Sequence, residues 1–211
     1  MNHIENTHVL QVYENIAEHF DDTRFSIWDM VKTFLVNKNS RQKGIEIGCG
    51  NGKNILYNQN LDIIGTDNCD KFIEICEHKN IKVYKADCRI LPFYDNCFDY
   101  AMSIAVYHHL ENENGFIQAI KEMIRVLKIG GHGLVSVWSQ ENQIKKWKHL
   151  KSGINYIKWE RRSDKKIFLR FYYIYNYQMI QNALLNLKKK IEIIRIYNEY
   201  GNWVIEFKKT S

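Results

Sequence analysis

Proline is almost missing: Pro92 is the single one among 211 residues. Loops must then take their shape from Gly, Asn and Asp, which reach left-handed backbone or bond to their own main chain. Cysteines are few and odd in number (Cys49, Cys69, Cys76, Cys88, Cys97), with no C-x-x-C pair. That excludes a disulfide framework and a zinc ribbon, and leaves them as small apolar side chains in a reducing compartment. No apolar run approaches the roughly 20 residues that a bilayer-spanning helix needs. Met1-Asn2-His3-Ile4-Glu5-Asn6 has neither the basic segment nor the apolar core of a signal peptide. The expectation is a cytoplasmic protein, with the nucleus also open to it. Metal-ligand spacing is absent too: the adjacent His108 and His109 cannot both face one ion from a regular element.

What is present reads as one globular domain, with 45% hydrophobic and 26% charged residues. The net charge of +6 is unevenly spread. Residues 145–170 carry ten Lys/Arg against Glu160 and Asp164, a local +8 that leaves the remainder at −2. Trp147, Tyr156, Trp159 and Phe168 are interleaved with those cations, a mixture suited to phosphates and unstacked bases. Lys145, Lys146, Lys148, Arg161, Arg162 and Arg170 are the expected RNA contacts.

One stretch organises the rest: Lys43-Gly44-Ile45-Glu46-Ile47-Gly48-Cys49-Gly50-Asn51-Gly52-Lys53. A short apolar run carrying an acid is broken by three alternating glycines, and a helical pattern follows. Glycine suits a sharp strand-to-helix turn whose backbone comes close to a ligand, where a Cβ would intrude. The spacing is Glu-x-Gly-x-Gly-x-Gly, not the G-x-G-x-x-G that seats a pyrophosphate. It resembles motif I of the class I S-adenosylmethionine (SAM) methyltransferases, whose cofactor carries no phosphate.

Along the chain, residues 8–20 and 26–35 read as amphipathic helices, the second opened by a capping box of Ser26 and Asp29. Strands are expected at 45–47, 63–67, 81–86, 98–106 and 133–138, with helices at 71–79 and at 116–128, the latter stopping at Gly130-Gly131. A helix at 176–187 precedes two β-rich runs, 190–197 and 203–207, joined through Tyr200-Gly201-Asn202. Strands alternating with helices imply an α/β, doubly wound, mostly parallel sheet. The resemblance makes it a seven-stranded Rossmann-like sheet ending in a C-terminal antiparallel hairpin. The regions are 1–40 (N-terminal helices), 43–139 (SAM-binding core), 140–175 (basic insertion) and 176–211 (helix and hairpin).

Ligands of such sheets sit beyond the carboxyl ends of the strands. Asp67 ends the second strand about twenty residues after the glycine turn, where an acid can accept both ribose hydroxyls, with Asn68 beside it. Asp87 can accept an adenine amino group, with Cys88 and Arg89 packing beside the ring. Glu46 is a carboxylate among apolar neighbours, costly without partners; the expected partners are the loop's backbone N–H groups and, through water, the SAM ammonium. Gly48, Cys49, Gly50 and Gly52 form the loop itself, and the resemblance lays Ile104 and Ala105 along the cofactor.

A narrower resemblance runs the length of the chain. Val12-Tyr13-Glu14-Asn15-Ile16-Ala17-Glu18-His19-Phe20, Thr23-Arg24-Phe25, Trp28, Gly48 to Lys53, Leu91-Pro92-Phe93, Ser103 to Leu110, Val137-Trp138, Arg170-Phe171-Tyr172-Tyr173 and Asn202-Trp203 are similar to the eukaryotic tRNA wobble-uridine carboxymethyl methyltransferases. That family includes the methyltransferase half of AlkB-homologue tRNA-modifying enzymes. The resemblance implies SAM as cofactor and 5-carboxymethyluridine in tRNA as acceptor. It implies Tyr13, Arg24, His108 and His109 on the acceptor side and a small zinc-binding activator subunit, for which the strand at 81–86, at the sheet edge in the strand order usual for this fold, is the expected docking place. An ionised carboxylate acceptor needs positioning and no general base. Gly115-Phe116 and Tyr173 depart from the family's arginine pair and histidine. A small-molecule methyltransferase of quinone or sterol type, or a non-catalytic RNA-binding subunit, are the competing readings; the first gives no reason for the basic segment, and the glycine turn with Asp67 and Asp87 speaks against the second.

Overall fold

The computed structural model describes residues 2–141, 147 and 149–211. Its seven-stranded sheet has the order β3-β2-β1-β4-β5-β9-β8. The strands are β1 (Lys43–Ile47), β2 (Asp62–Asp67), β3 (Val83–Lys85), β4 (Phe98–Ile104), β5 (Leu127–Trp138), β8 (Ile191–Glu199) and β9 (Asn202–Lys209). The β3-to-β5 portion is parallel, while β9 runs antiparallel to both β5 and β8. The mostly parallel doubly wound fold and its closing hairpin are therefore as expected. Tyr200 and Gly201, both at positive φ, make the tight hairpin turn.

Helices cover both faces. Helix α6 (Glu113–Val126) packs Phe116, Ile120 and Ile124 against one side with Ile45, Val135 and Phe207. Helices α3 (Asp29–Leu35) and α5 (Asp70–His78) put Val31, Phe34 and Cys76 against the other with Tyr100 and Met102. Burial on both faces is why β4 reads as a continuous apolar run.

Four local expectations differ. The N-terminal helix begins earlier, as α1 (His3–Glu5), a π-helical turn over Asn6–Leu10 and then α2 (Gln11–Thr23), because Asn2 caps Glu5 N–H at 2.8 Å. The capping box at Ser26 does not form: Trp28 occupies the cap of α3, and Met30 N–H donates to Glu199 Oε1 at 3.1 Å. A carboxylate from the far sheet edge thus satisfies a helix-end donor that a local side chain also matched. Helix α6 ends at Val126 rather than at residue 128, since Leu127 pairs with Phe98 and β5 continues through the glycines. Strand β3 is shorter than residues 81–86, and Ile81 is buried.

The largest difference lies in the region read as a basic insertion. It contains an antiparallel pair, β6 (Gly153–Glu160) and β7 (Ile167–Ile174), outside the main sheet. Trp159 and Phe168 of this hairpin pack on Val12 and Ile16 of α2. Ile157 and Tyr172 pack with Leu150, Ile174, Trp138 and Trp147. Helix α7 (Tyr177–Leu185), capped by Asn176, then leads to β8. Among the described residues no helix is long and apolar enough to cross a membrane.

Candidate active site

A cavity of about 350 Å³ opens beyond the carboxyl ends of β1, β2 and β4, between the glycine turn, α2 and β7. Strand order reverses between β1 and β4, the switch point at which such sheets bind ligands.

The turn is held by backbone bonds. Gly48 N–H and Cys49 N–H both donate to Thr66 O at 2.8 Å, and Gly50 N–H donates to Asp67 Oδ2 at 2.8 Å. Gly48 has φ +74, and an added Cβ would lie 2.4 Å from Val106 Cγ2. Gly50 has φ +54, but its Cβ would meet only Phe20 at 3.8 Å, so its open side faces the cavity. Gly52 forms the N-cap of helix α4 (Lys53–Leu56).

Asp67 also accepts from Cys69 N–H at 3.0 Å. Its carboxylate thus ties the turn to α5 while lining the cavity with Asn68, and burial raises its pKa. Glu46 corrects the expectation made for it. Its partner is the side chain of Asn54, whose Nδ2–H donates to Oε1 at 2.6 Å, and the loop N–H groups are already taken by Thr66 and Asp67. Oε2 is buried without a hydrogen bond. Burial pushes this carboxyl up to about 8, against the opposing bond from Asn54. Asp87, Cys88, Ile104 and Ala105 line the same cavity. Asp87 is already held by Arg89, at 2.6 Å between Oδ2 and Nη2, and Arg89 forks onto the buried Glu5 of α1 at 2.8 and 3.0 Å. Ala105 is a non-glycine residue at φ 60, a strained backbone of the kind found at binding sites.

These features fit SAM. Glu46 Oε2 is an orphan acid able to meet an ammonium group, Asp67 is an acceptor beside the cavity, and Gly50 leaves the backbone uncovered.

The acceptor side is assembled from distant segments. His109 Nδ1–H donates to Phe171 O at 2.8 Å, so Nε2 is the acceptor and takes the Tyr13 hydroxyl proton at 2.9 Å. Arg170 Nη1 reaches Tyr13 Oη at 3.4 Å. His109 is thereby a neutral strut between α2 and β7 that lines the cavity with both nitrogens already engaged. Burial drives its pKa down to about 3, opposed by the Phe171 bond and assisted by the Arg170 charge. His108 is held by Trp138 N–H, which donates to Nδ1 at 3.1 Å, and it stacks on Tyr172 at 4.8 Å. Its pKa is also well below the usual imidazole range, through burial and then the neighbouring His109 and Arg170.

Arg24 and Arg170 both line the cavity, their Cζ atoms 5.0 and 4.7 Å from the Trp159 ring centroid. Neither has a carboxylate partner among the described residues. Burial and the charge of Arg170 lower the pKa of Arg24. Arg170, expected on an RNA-facing surface, is only 7% exposed and belongs to this wall. Arg161 is committed to Asp164 and to Asn15 O, whereas Arg162 is exposed. Lys145, Lys146 and Lys148 lie outside the described residues. Among the described residues no His/Cys/Asp/Glu cluster could hold a metal.

Sequence reasoning missed Asn54, Glu5, the contribution of Tyr172 to the pocket and the packing of Trp159 beside Arg24 and Arg170. The signal for the last two was present as period-two alternation: Ile157 and Trp159 on one strand, Phe168, Arg170 and Tyr172 on the next, all inward.

Known proteins match this arrangement. Residues 45–135 match the family model of a methyltransferase domain. The Schizosaccharomyces pombe tRNA (carboxymethyluridine(34)-5-O)-methyltransferase is 43% identical over 139 residues, covering 66% of this chain and 60% of that protein. The Arabidopsis thaliana enzyme of the same name is 41% identical over 151 residues, covering 70% and 37%. This chain thus spans less than two thirds of those relatives. Among solved structures, a SAM-dependent methyltransferase from Thermotoga maritima superposes with a TM-score of 0.68 at 18% identity, covering 96% of this chain and 100% of that one. A chain from the complex between the Haloferax volcanii Trm112 methyltransferase activator and a methyltransferase gives 0.67 at 13% identity, covering 96% and 98%. Residues 45–135 thus carry a methyltransferase domain, and the chain is a homologue of the tRNA carboxymethyluridine methyltransferases.

Proposed function

We propose that the protein esterifies the carboxymethyl group of 5-carboxymethyluridine at the tRNA wobble position, with SAM as methyl donor. The observation that carries this reading is the pair Arg24 and Arg170, two cavity-lining guanidinium groups around Trp159 without a carboxylate partner among the described residues. Arg170 is buried in the wall while Arg24 is exposed, and two like charges set around one ring call for an anion whose carboxylate geometry guanidinium groups match. Bound SAM supplies an electrophilic methyl group, which passes to a carboxylate oxygen as the carbon–sulfur bond breaks, giving the methyl ester and S-adenosylhomocysteine. No proton moves, so neutral His108 and His109 suit the reaction. Arg24 and Arg170 hold the carboxylate in line, and Tyr13 with His109 fixes Arg170's wall against α2.

For the partner, we propose a small zinc-binding activator pairing along β3. Gly65 N–H bonds Lys82 O and Ala86 N–H bonds Asp67 O, so alternation turns the Val83 and Lys85 main chain away from β2. Tyr84 is 38% exposed on that edge, and an added strand is a natural way to cover it. The exposed Arg162 belongs to the proposed tRNA surface together with Lys145, Lys146 and Lys148.

The test is transfer of labelled methyl from SAM onto tRNA isolated from cells lacking the ester, with and without the activator. Label recovered as the methyl ester of 5-carboxymethyluridine is the expected result. Label on another nucleoside, or none with the activator present, would overturn the reading.

A further inference from the structure

We propose that His108 is a specificity-determining residue, an uncharged and rotationally fixed N–H donor that reads the C4 carbonyl oxygen of the acceptor uracil. A cytosine bearing the same side chain would be rejected. The inference rests on the acceptor proposed above and deepens it.

The two adjacent histidines are used differently. His109 spends both ring nitrogens inside the fold, on Tyr13 and on Phe171 O. His108 spends one. Trp138 N–H donates to its Nδ1 at 3.1 Å, so the ring's single proton resides on Nε2. The ring is 1% exposed and is stacked on Tyr172 at 17° between planes, with Trp138 5.9 Å and His109 4.5 Å away. A flipped ring would set a C–H against Trp138 N–H and leave that buried donor unpaired, so the orientation is fixed. Among the described residues Nε2–H has no hydrogen-bond partner, and His108 lines the cavity beside Arg24, Arg170 and Trp138. With Nδ1 committed, Nε2–H is the donor that this ring can offer to a ligand in the cavity it lines. Burial and the nearby positive charge keep the ring neutral, so the missing partner is an acceptor of ordinary polarity and need not be a second anion.

The acceptor's chemistry supplies such a group. In 5-carboxymethyluridine the carboxymethyl arm and the C4 carbonyl stand on neighbouring ring atoms, so one edge of the base presents both. With the carboxylate on Arg24 and Arg170, the carbonyl is the adjacent acceptor. Cytosine carries an amino group there, which would set donor against donor.

The experiment uses the full chain together with the proposed activator and two anticodon stem-loops that differ only in carrying 5-carboxymethyluridine or 5-carboxymethylcytidine at the wobble position. The protein is expected to favour the uridine in kcat/KM by about ten- to a hundredfold. In His108→Asn the side-chain oxygen still accepts from Trp138 N–H, while the far donor is gone. The ratio should fall toward one through loss on the uridine substrate, with SAM affinity measured by calorimetry unchanged. His108→Gln, whose amide reaches the Nε2 position, should restore part of the preference. A wild-type ratio near one, or an unaltered ratio in His108→Asn, overturns the inference while leaving the methylation reading intact. Methylation of neither substrate overturns that reading and this inference with it. Should His108→Asn fail to fold, the wild-type chain decides alone: sulfur in place of the C4 oxygen accepts weakly and should lower kcat/KM about tenfold, and an unchanged value rejects the proposal.

Discussion

The two walls of the cavity are built on opposite principles. The cofactor wall is made of main chain: Gly48, Cys49 and Gly50 donate N–H groups to Thr66 and Asp67, two neighbours on the next strand. The acceptor wall is made of side chains from α2, the turn at Tyr107–His109 and β7, joined through Tyr13, His109 and Arg170 across long sequence separations. A wall of backbone tolerates little change in conformation and much change in side-chain identity. The side-chain wall behaves in the opposite way, and this is where an acceptor can be chosen.

The comparison breaks most visibly at the glycines. In Gly48→Ala, left-handed backbone strain of about 1–2 kcal/mol adds to overpacking against Val106 of about 1–3 kcal/mol, because the new Cβ falls 2.4 Å from Val106 Cγ2. A loss of about 2–5 kcal/mol in denaturant unfolding is expected. Gly50→Ala shares only the strain, so its cost should be about 1–2 kcal/mol, with SAM affinity reduced because the methyl enters the cavity. Equal losses in the two variants would show that the cavity's open side lies elsewhere.

A matched pair of substitutions separates the walls. Asp67→Ala removes a charge-assisted acceptor and should weaken SAM by about ten- to a hundredfold, roughly 1.5–3 kcal/mol, as read by calorimetry. Arg170→Met keeps the apolar stem over Trp159 but removes the charge. It should lower kcat/KM for tRNA by a similar factor while leaving the SAM dissociation constant alone. If Arg170→Met instead weakens SAM, the arginine pair belongs to the cofactor.

This division also explains what could be read from sequence. The glycine turn, Asp67 and the parallel sheet are legible because each partner lies within one βαβ unit, and local spacing determines geometry. Glu46 was assigned loop N–H partners because a strand acid next to glycines suggests them. Thr66 O had already taken two of those donors, and no local rule announces that. Trp159, Arg170 and Tyr172 were masked by charge: a run of cations dominated the reading of 145–170, although the period-two alternation beneath it encodes an inward-facing hairpin. The cap of α3 failed for the same reason in miniature, since Glu199 arrives from across the fold.

Glu46 offers a smaller, sharper test through proton linkage. Its carboxyl titrates at about 8 in the fold against an ordinary 4.5. The folded state therefore binds the proton more tightly than the unfolded one. The associated stability is complete below pH 4.5 and is lost as pH rises toward 8, with a slope of up to about 1.4 kcal/mol per pH unit in that window. A cationic ammonium beside Oε2 would favour the carboxylate, so SAM binding at pH 7 should release up to about one proton. Calorimetry in buffers of different ionisation enthalpy measures that number. Glu46→Gln should reduce the release and flatten the pH dependence of unfolding; identical heats across buffers in the wild-type protein would remove the ammonium assignment.

The smallest expected effect concerns the basic hairpin, where exposure separates two neighbouring arginines. Arg161 is forked onto Asp164, with Nη2 and Nε at 2.5 and 3.0 Å, and Nη1 donates to Asn15 O at 2.8 Å, so its charge is partly answered within the hairpin. Arg162 is exposed and has no ion pair among the described residues. If this surface meets tRNA phosphates, Arg162→Gln should lower the slope of log affinity against log salt by about 0.7–0.9, the value for one phosphate contact. Arg161→Gln should change the slope less and stability slightly more, because it leaves Asp164 unpaired at the surface. An unchanged slope in Arg162→Gln would mark the hairpin's outer charges as solvated, leaving Arg24 and Arg170 as the cations that the acceptor meets.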